Sequence, residues 1–292
     1  MRPKVAIIYL SFHCEPHIHA AVDALAKTNY PKDRIAFLIV DNPHPKHGGS
    51  GEYIREHVMP RSGLDLPSVI LIESEVNTGF AGGNNIGLKW AADNNYDYVL
   101  FQNDDAFLGE DAISHLVEAM EKDEHIAIAQ PLIMLNPDRQ LINSSGNVIH
   151  VLGMGYCRDY QTPANEVALR AVEEVPYASG AIWMMRTGKA AATGGWDADF
   201  FMYHEDMEWS LRCRILGDRV VLVRDAVAYH TYNFSKSITK YYWMERNRFA
   251  VLLMYYKWPT LILLTPILLF SEIGLFVIAI ARCWWKEKLR VY

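Results

Sequence analysis

The chain of 292 residues carries a glycine-rich segment, NTGFAGGNNIG at 77–87, followed by an acidic segment, FQNDD at 101–105. Glycines without a Cβ atom let backbone amides approach a ligand closely, and a helix beginning at 83–84 would direct its positive end towards an anion. Carboxylate oxygens such as those of the two aspartates are the ligands that Mg²⁺ prefers. Each segment alone is also compatible with an ordinary turn or helix cap. Together they predict a site for a nucleoside diphosphate and its metal ion.

The spacing of the glycines distinguishes this site from two common nucleotide-binding loops. Gly79, Gly82, Gly83 and Gly87 do not fit the pattern G-x-G-x-x-G, and no Gly-Lys-Ser or Gly-Lys-Thr follows them. The sequence therefore argues against a Rossmann dehydrogenase and against a P-loop kinase.

A second group of ionisable residues lies further along the chain. Glu205 and Asp206 follow the segment GGWDADFFMY at 194–203 and are predicted to begin a helix, while His230 follows two apolar runs that predict strands. Carboxylates in a first helical turn are also favoured by the helix dipole alone, and a histidine at a strand end often has a purely structural role. The predicted helix would bury a stripe formed by Met207, Leu211 and Ile215.

Apolar runs and helical periodicity alternate from Val5 to Gln130, which predicts an α/β fold with a mostly parallel sheet flanked by helices. Active-site loops are then expected at the carboxyl ends of the strands, where Asp41 would precede a loop at Pro43–Gly51. Residues 131–176 predict paired short strands and a mobile loop for an acceptor. The predicted strands are Val5–Leu10, Arg34–Val40, Val69–Glu73, Tyr98–Asn103, Ile126–Gln130, Val175–Met185, Val220–Val223 and Ala226–Tyr229, and two of the predicted helices are Pro16–Lys27 and Glu110–Lys122.

The composition indicates a globular protein with a sizeable core, since 51% of the residues are hydrophobic. The four cysteines lie far apart without a C-x-x-C pair, which predicts reduced thiols. No signal peptide precedes the first strand, so we expect a cytosolic catalytic domain. His13, Cys14, His17 and His19 match no zinc-ligand spacing and are interpreted as a solvated loop.

Residues 240–292 differ from the rest of the chain in charge and hydrophobicity. They carry eight Lys and Arg against three acidic residues, a net charge of +5, whereas the remainder carries 20 against 31, a net charge of −11. The apolar segment Thr260–Ala281 is long enough to cross a bilayer, but Pro266 and Glu272 argue against a single span. We expect in-plane helices or a shallow hairpin on the cytoplasmic face of the plasma membrane, and no nucleic-acid partner. The alternative is a helix pair packed on the catalytic domain or on a second copy, as in a homodimer.

Four motifs are similar, in order and spacing, to those of inverting family-2 glycosyltransferases of the GT-A fold, and the chain resembles the rhamnosyltransferase-like branch. They are IVDN at 39–42, NTGFAGGNNIG at 77–87, FQNDD at 101–105, and GGWDADFFMYHEDMEWSLR at 194–212 with the histidine of VAYH at 227–230. The resemblance implies a catalytic domain at residues 1–238 and membrane-associating helices at residues 239–292.

The resemblance also implies roles for single residues. Asp206 would be the catalytic base, and Asp105 and His230 would bind a divalent cation, Mg²⁺ or Mn²⁺. Asn103 replaces the first acid of a full D-x-D motif, so Asp105 is expected to carry the metal nearly alone. The donor site would comprise Asp41, Asn77, Gly79, Phe80, Gly83, Asn84, Asn103 and Asp104, and the acceptor contacts would be Trp196, Asp197, Glu205 and Arg212.

These roles imply transfer of a sugar from a nucleoside-diphosphate donor to a hydroxyl of a polyprenyl-diphosphate-linked glycan in cell-surface polysaccharide synthesis. The donor would be dTDP-rhamnose or a UDP-hexose, and the missing serine and aspartate after Asp41-Asn42 leave thymine and uracil both open. The cation would stabilise charge on the leaving diphosphate. Asp206, with a reference pKa of about 3.9, would accept the proton of the attacking hydroxyl late in the reaction.

Two other functions share parts of this pattern. A nucleotidyltransferase would need a basic, phosphate-clamping loop after the first strand, but SFHCEPHIH at 11–19 contains neither Arg nor Lys. A non-catalytic, membrane-tethered nucleotide-sugar-binding protein would keep the glycine loop without needing Asp206.

Overall fold

Ten strands form one mixed β-sheet among residues 2–232 and 240–292, which the computed structural model describes. The strands are β1 (Val5–Ser11), β2 (Ile35–Asp41), β3 (Ser68–Glu73), β4 (Tyr98–Asn103), β5 (Ala106–Leu108), β6 (Ile126–Leu135), β7 (Ile142–Ser144), β8 (Asn147–Ile149), β9 (Gly155–Cys157), β10 (Val172–Glu174), β11 (Ile182–Arg186) and β12 (Arg219–His230). The helices are α1 (Ile18–Ala26), α2 (Gly51–His57), α3 (Gly79–Asp93), α4 (Ala112–Lys122), α5 (Thr187–Ala192), α6 (Glu205–Ile215), α7 (Lys240–Tyr255), α8 (Trp258–Ala281) and α9 (Trp285–Leu289).

The strand order is β10-β12-β6-β11-β4-β1-β2-β3, with β5 paired to β12 and β7 paired to β6, and β8 and β9 form a separate pair. Strands β4, β1, β2 and β3 run parallel. Ser11 is in register with Asp41, Asp41 with Glu73, and Leu10 with Asn103. The carboxyl ends of these four strands therefore meet at one edge of the sheet, where ligands bind in open α/β sheets.

Two hydrophobic cores cover the faces of this sheet. Every residue of β1 is buried, as expected for a strand with helices on both sides. Alternate side chains point to opposite faces, so Val5 and Ile7 join the core formed with α1 and α4, whereas Ala6 and Ile8 join the core formed with α3, α5 and α6. The predicted α/β sheet flanked by helices is thus confirmed.

The predicted element bounds were wrong at several places. Helix α2 was not predicted, β6 continues to Leu135 into the segment expected to be irregular, and the strand expected at Val175–Met185 is shortened to β11. The two strands expected before His230 form one strand, β12, with an irregularity in its pairing between Val223 and Val227. Long-range pairing with β6, which local sequence does not reveal, joins the two halves of β12.

Helix α3 begins at Gly79, one turn earlier than predicted. Its later glycines serve close packing on the sheet. A Cβ on Gly83 would lie 2.4 Å from Leu10 Cδ1, and a Cβ on Gly87 would lie 2.5 Å from Ile8 Cγ2. Since these glycines are one helical turn apart, they bring the helix backbone close against β1.

Helix α6 buries a different stripe from the one predicted. Met207 is buried, but Leu211 is only half-buried and Ile215 is exposed. Trp209 and Cys213 face the sheet core instead, because they are four residues apart and join the cluster that contains α3.

Helix α7 packs against the body that carries the sheet. Val251 shares a hydrophobic cluster with Tyr177, Phe200 and Met207, and Leu252 is buried. The domain boundary predicted between residues 238 and 239 lies outside the described residues.

Helix α8 is long and apolar enough to cross a membrane, and no other helix in the described parts of the chain meets that description. The helix is continuous through Pro266, so the expectation of a shallow hairpin was wrong. Proline removes one backbone donor, but it does not end this helix. The apolar side chains of α8 are largely exposed, among them Ile262, Leu263, Phe270 and Ile273.

Glu272 in α8 does not face outward as an isolated charge. It pairs with Arg248 of α7 and with Lys288 of α9, and Lys288 also pairs with Glu245 of α7. Arg248 and Lys288 are buried and cannot reach a lipid surface. Part of the basic charge predicted for the C-terminal end is therefore neutralised by buried ion pairs. We call this group, Glu245, Arg248, Glu272 and Lys288, the tail network.

Candidate active site

Asp41 lies at the carboxyl end of β2 and is covered by the loop that follows. It is buried and accepts a hydrogen bond from Ser11 Oγ at 2.9 Å. A Cβ on Gly49 would lie only 2.1 Å from Asp41 Oδ2, so this loop passes directly over the carboxylate. A nucleoside can touch Asp41 only after the loop moves aside.

Asn42, which the sequence analysis did not select, fixes the start of the glycine segment. Its amide nitrogen donates to Asn77 Oδ1 at 3.2 Å and to the Gly79 carbonyl at 3.0 Å, and its oxygen accepts from the Thr78 amide at 2.9 Å. Asn77 Oδ1 in turn accepts from the Gly79 amide at 2.8 Å. The side chains of two asparagines thus form hydrogen bonds with the polar groups of this loop. In the sequence, only the place of Asn42 in the IVDN motif pointed to it.

Four aromatic rings gather beside Asp41 from the loops after β1 and β2. The rings of His44 and His47 stack with centroids 4.7 Å apart, His13 lies 5.1 Å from His44, and Phe12 lies 5.6 Å from His44. Partial desolvation and the neighbouring His47 and His13 lower the pKa of His44, which keeps its ring neutral. The sequence placed His13 in a solvated loop and gave no signal for this cluster.

The segment 200–204, which we call the active-site turn, covers the beginning of α3. The Phe80 and Ala81 amides both donate to the Phe201 carbonyl, at 2.7 and 3.2 Å. A Cβ on Gly79, whose φ is +73°, would lie 2.4 Å from the Phe201 ring. The first amides of α3 are therefore satisfied within the protein, and the expectation that they face an anion was wrong.

The active-site turn has an unusual backbone. Phe201, Tyr203 and His204 have φ values of 60°, 67° and 68°. A side chain in this left-handed region costs about 1–3 kcal/mol per residue and persists only where surrounding contacts impose it. The last of the three residues is the N-cap of α6.

Asp206 lies in the first turn of α6 with both carboxylate oxygens engaged. Oδ2 accepts from the Gly180 amide at 2.8 Å, and Oδ1 accepts from the Met207 amide at 2.7 Å. Burial raises the pKa of Asp206 to about 6, although these two hydrogen bonds oppose the rise. A carboxylate with this pKa is ionised at neutral pH and is a better proton acceptor than an ordinary aspartate.

Glu205 is buried beside it, and its Oε2 has no hydrogen-bond partner in the described residues. Burial and the Asp206 charge raise the pKa of Glu205 well above its usual range, so the site disfavours ionisation of both carboxyls together. Because only 6% of Glu205 is exposed, its predicted contact with an acceptor is contradicted.

Asp105 and His230 approach each other from different strands. His230 Nε2 lies 3.0 Å from Asp105 Oδ1, and His230 Nδ1 lies 3.1 Å from Asn143 Oδ1. When Nδ1 donates to Asn143, a neutral ring turns a lone pair towards the carboxylate, and a proton or a cation must join the two. Asn143 was not predicted, and it orients the ring as partners of metal-binding histidines commonly do.

These residues fit a divalent cation held partly by a substrate. Two ligands at about 2.1 Å from an octahedral ion and at right angles lie about 3.0 Å apart, which matches the observed separation of Asp105 and His230. Residues 2–232 and 240–292 contain no group of three or more His, Cys, Asp or Glu arranged to hold a metal by themselves. Magnesium is often bound by one or two protein ligands and phosphate oxygens, and a histidine ligand also suits manganese.

The acidic segment and Asp206 are connected through two consecutive residues. The Asn103 amide donates to the Ala181 carbonyl at 2.9 Å, and the preceding residue, Gly180, donates its amide to Asp206. Asn103 Oδ1 and Asn84 Oδ1 are buried without hydrogen-bond partners in the described residues. Asp104 contributes its carbonyl, which accepts from Tyr9 Oη at 3.0 Å. The structure thus links the acidic segment to the predicted base through the Gly180-Ala181 pair.

Three of the residues predicted to contact the acceptor make structural contacts within the protein. Trp196 is 2% exposed and packs among aromatic rings, including that of Phe80 at 5.1 Å. Arg212 pairs with the buried Glu208 at 2.7 Å and donates to the Gly195 carbonyl at 2.8 Å. Asp197 caps a short turn by accepting from the Asp199 amide. Trp196 is therefore removed from the acceptor set, whereas acceptor contacts of the half-buried Asp197 and Arg212 remain predictions.

Comparison with known proteins places this arrangement in a family. The family model described as Glycosyl transferase family 2 matches residues 6–190. The low-salt glycan biosynthesis hexosyltransferase Agl10 of Haloferax volcanii is 28% identical over 148 residues, which are 49% of this chain and 45% of the relative. The match therefore spans less than half the length of that curated relative.

Solved structures share the fold. GalNAc-T7 with UDP, GalNAc and Mn²⁺ superposes with a TM-score of 0.68 at 15% identity, covering 88% of this chain and 49% of that one. Residues 1–349 of S. aureus TarS in complex with UDP superpose with a TM-score of 0.57 at 17% identity, covering 86% and 65%. The family model covers more than half of the chain, and the fold of the chain agrees with it. The chain therefore belongs to glycosyl transferase family 2.

Proposed function

We propose that the protein is a metal-dependent, inverting glycosyltransferase that works at the cytoplasmic face of a membrane. It moves either L-rhamnose from dTDP-rhamnose or a hexose from a UDP-sugar to a hydroxyl of a polyprenyl-diphosphate-linked glycan. The observation that carries the proposal is the placement of Asp206, with its raised pKa, next to Asn103 through the Gly180-Ala181 pair.

The base role of Asp206 follows from its surroundings. The Gly180 and Met207 amides hold the carboxylate in one orientation, and burial makes it basic enough to accept a proton from an alcohol. As the sugar hydroxyl attacks the anomeric carbon, Asp206 takes its proton, the bond to the diphosphate breaks, and the configuration inverts in a single displacement. Burial and the Asp206 charge raise the pKa of Glu205 beside it, which favours a single negative charge on the pair.

The donor diphosphate is proposed to lie over Asn103 and Asp105. Asp105 and His230 would hold a divalent cation, which stabilises negative charge on the leaving diphosphate. Asn103 Oδ1, at the carboxyl end of β4 and without a partner in the described residues, is an acceptor that suits a donor hydroxyl group. GalNAc-T7 and TarS, which share the fold, have crystal structures with UDP, and that of GalNAc-T7 also contains Mn²⁺, which supports a nucleoside-diphosphate donor and a metal.

The nucleobase is proposed to stack near the rings of His13, His44 and His47. Aromatic rings stack on either pyrimidine, so this surface fits thymine and uracil equally. The loop over Asp41 would open to admit the nucleoside.

Membrane docking by α8 is proposed from its exposed apolar surface and from the tail network. Glu272 lies beyond the middle of α8 and is tied to Arg248, whose guanidinium also donates to the Leu152 carbonyl of the catalytic body at 3.2 Å. Because the interior of α8 is held beside this body, the helix cannot place its centre in the middle of a bilayer without immersing the body as well. In-plane docking on the membrane surface satisfies both observations.

The test is a transfer assay with the full-length protein in detergent or on vesicles. Purified protein is incubated with dTDP-rhamnose or UDP-hexoses, Mn²⁺ or Mg²⁺, and a short polyprenyl-diphosphate-linked sugar. We expect one donor to be consumed in an Asp206-dependent reaction, and proton NMR of the product to show the inverted anomer. A retained anomer, a nucleotidyl product, or turnover unaffected by Asp206→Asn would contradict the proposal.

A further inference from the structure

We propose that Asn247 of α7 is a positioning residue for catalysis, which holds the active-site turn in the conformation that places Asp206. This inference rests on the proposed function for its kinetic readout. It assigns to the C-terminal helices a part in the chemistry, in addition to docking.

The amide of Asn247 is aimed at the turn from a fully buried position. Its Nδ2 lies 2.8 Å from the Phe200 carbonyl, 2.9 Å from the Met202 carbonyl and 2.7 Å from the Tyr203 carbonyl. Asn247 Oδ1 has no partner in the described residues. Three carbonyls converge on one atom, so only a donor fits there, and the amide has a single acceptable orientation.

The turn has one backbone hydrogen bond within it, from the Met202 amide to the Phe200 carbonyl at 2.6 Å, so it depends largely on contacts from outside. Phe201, Tyr203 and His204 all have positive φ values, and local sequence offers no glycine to relieve them. Helix α7 also contacts the turn at Phe201 and the residue just before the turn, Asp199. The Phe201 ring stacks on Trp243 with centroids 4.7 Å apart, and Arg246 donates to the Asp199 carbonyl at 2.6 Å.

The turn matters because it connects both halves of the site. Its Phe201 carbonyl accepts from the Phe80 and Ala81 amides at the start of α3, next to the donor loop. Its last residue, His204, begins α6, which carries Asp206. If the turn relaxes, α6 moves relative to the Gly180 amide, and the hydrogen bonds that orient Asp206 weaken. We therefore expect Asn247 to affect the base and its turnover more than donor binding.

The test compares Asn247→Asp with Leu252→Ala in the full-length protein. Aspartate has almost the same shape but no amide donor, so three carbonyls would face a carboxylate. Leu252 is buried in the same helix and packs near Gly153, and its side chain has no donor for the carbonyls of the turn, so its truncation controls for general loosening of α7. Asn247→Ser, which keeps one hydroxyl donor, serves as a second variant if the aspartate variant is recovered unfolded.

The expected result has a kinetic part. Asn247→Asp should lower kcat by about 10- to 100-fold, since a displacement of about 1 Å near reacting groups has effects of this size, while KM for the donor changes by less than about threefold. The acidic limb of the pH profile should move to higher pH, because the opposing hydrogen bonds from Gly180 and Met207 weaken. Asn247→Ser should fall between. Leu252→Ala should keep the position of this limb.

A second readout does not depend on activity. Amide hydrogen exchange of residues 199–206 should accelerate by about tenfold or more in Asn247→Asp and stay near the parent rate in Leu252→Ala. Failure of the wild type to transfer any sugar would overturn the proposed function, whereas unchanged exchange in Asn247→Asp would overturn the positioning role. A wild-type kcat and acidic limb in Asn247→Asp, or an equal shift of the limb in Leu252→Ala, would also overturn it.

Discussion

The pKa of Asp206 leads to a quantitative prediction for the pH dependence of turnover. Burial raises this pKa to about 6, and the base works only when ionised. The ionised fraction is then about 90% at pH 7 and about 10% at pH 5. We expect kcat to fall about tenfold between these values, with its midpoint near pH 6, because activity is lost as the pH falls through the raised pKa. Initial rates in buffers of constant ionic strength, with saturating donor and acceptor, measure the profile.

The same residue gives a matched pair of variants. Asp206→Asn should reduce kcat by roughly 10²–10⁴-fold, which is the usual contribution of general-base catalysis, and should abolish the acidic limb. Glu205→Gln replaces a buried carboxyl whose pKa burial and the Asp206 charge raise well above its usual range, so it should retain an acidic limb and most of the turnover. Calorimetry should find nearly unchanged affinity for the nucleoside diphosphate in both variants.

Stability should move in the opposite direction from activity. A carboxyl whose pKa is raised by folding favours the native state below its unfolded pKa, and this contribution disappears as the pH rises through the folded pKa near 6. Asp206→Asn removes the titrating carboxyl but can accept only one of its two backbone hydrogen bonds, so its urea midpoint should vary less between pH 5 and pH 7 than that of the parent. A parent profile without a limb between pH 5 and 7, or an Asn variant that is inactive only because it is unfolded, would refute this reasoning.

Three further outcomes are expected. Gly79→Ala should lower the free energy of unfolding by at least about 2 kcal/mol, because φ is positive there and the new Cβ would clash with Phe201 of the active-site turn. Gly188 has open space around it, so Gly188→Ala should be neutral or stabilising. Urea titrations measure both. Asp105→Ala should abolish the effect of Mn²⁺ on nucleoside-diphosphate affinity in calorimetry, and Asp104→Ala should keep it; equal losses would show that the ligand assignment is wrong. Lys288→Met should lower the free energy of unfolding by about 3 kcal/mol, because it leaves Glu245 and Glu272 to share Arg248 as their only cation in the tail network, whereas Lys286→Met at an exposed position of α9 should cost little.

The sequence predicted the parallel strands well because their apolar runs are continuous and end at recognisable polar residues. Asp41 and the FQNDD segment lie at the predicted edge of the sheet for that reason. The same reasoning misplaced the function of Gly83 and Gly87, since a missing Cβ can serve a ligand or a neighbouring strand. Only the three-dimensional contacts with Leu10 and Ile8 distinguish the two uses.

The contributions of Asn42, Asn143 and Asn247 could not be predicted from local patterns. Each is a neutral amide whose value depends on partners at least 35 residues away in the chain. Trp196 shows the reverse error, because an aromatic residue in a glycine-rich turn looks available for a sugar but fills the core. Asp206 was recognisable from its motif, but its raised pKa depends on burial that sequence does not report.

The tail network also fixes how α8 is turned about its own long axis. Glu272 must face Arg248 and Lys288, so the opposite stripe of the helix always points away from the protein. For an enzyme that rests on a bilayer through this stripe, the height of the active site above the lipid headgroups is then a property of the protein and not of the lipid. Such an enzyme would select acceptor glycans by length, because only a hydroxyl separated from the diphosphate by the right number of sugars would reach the active site.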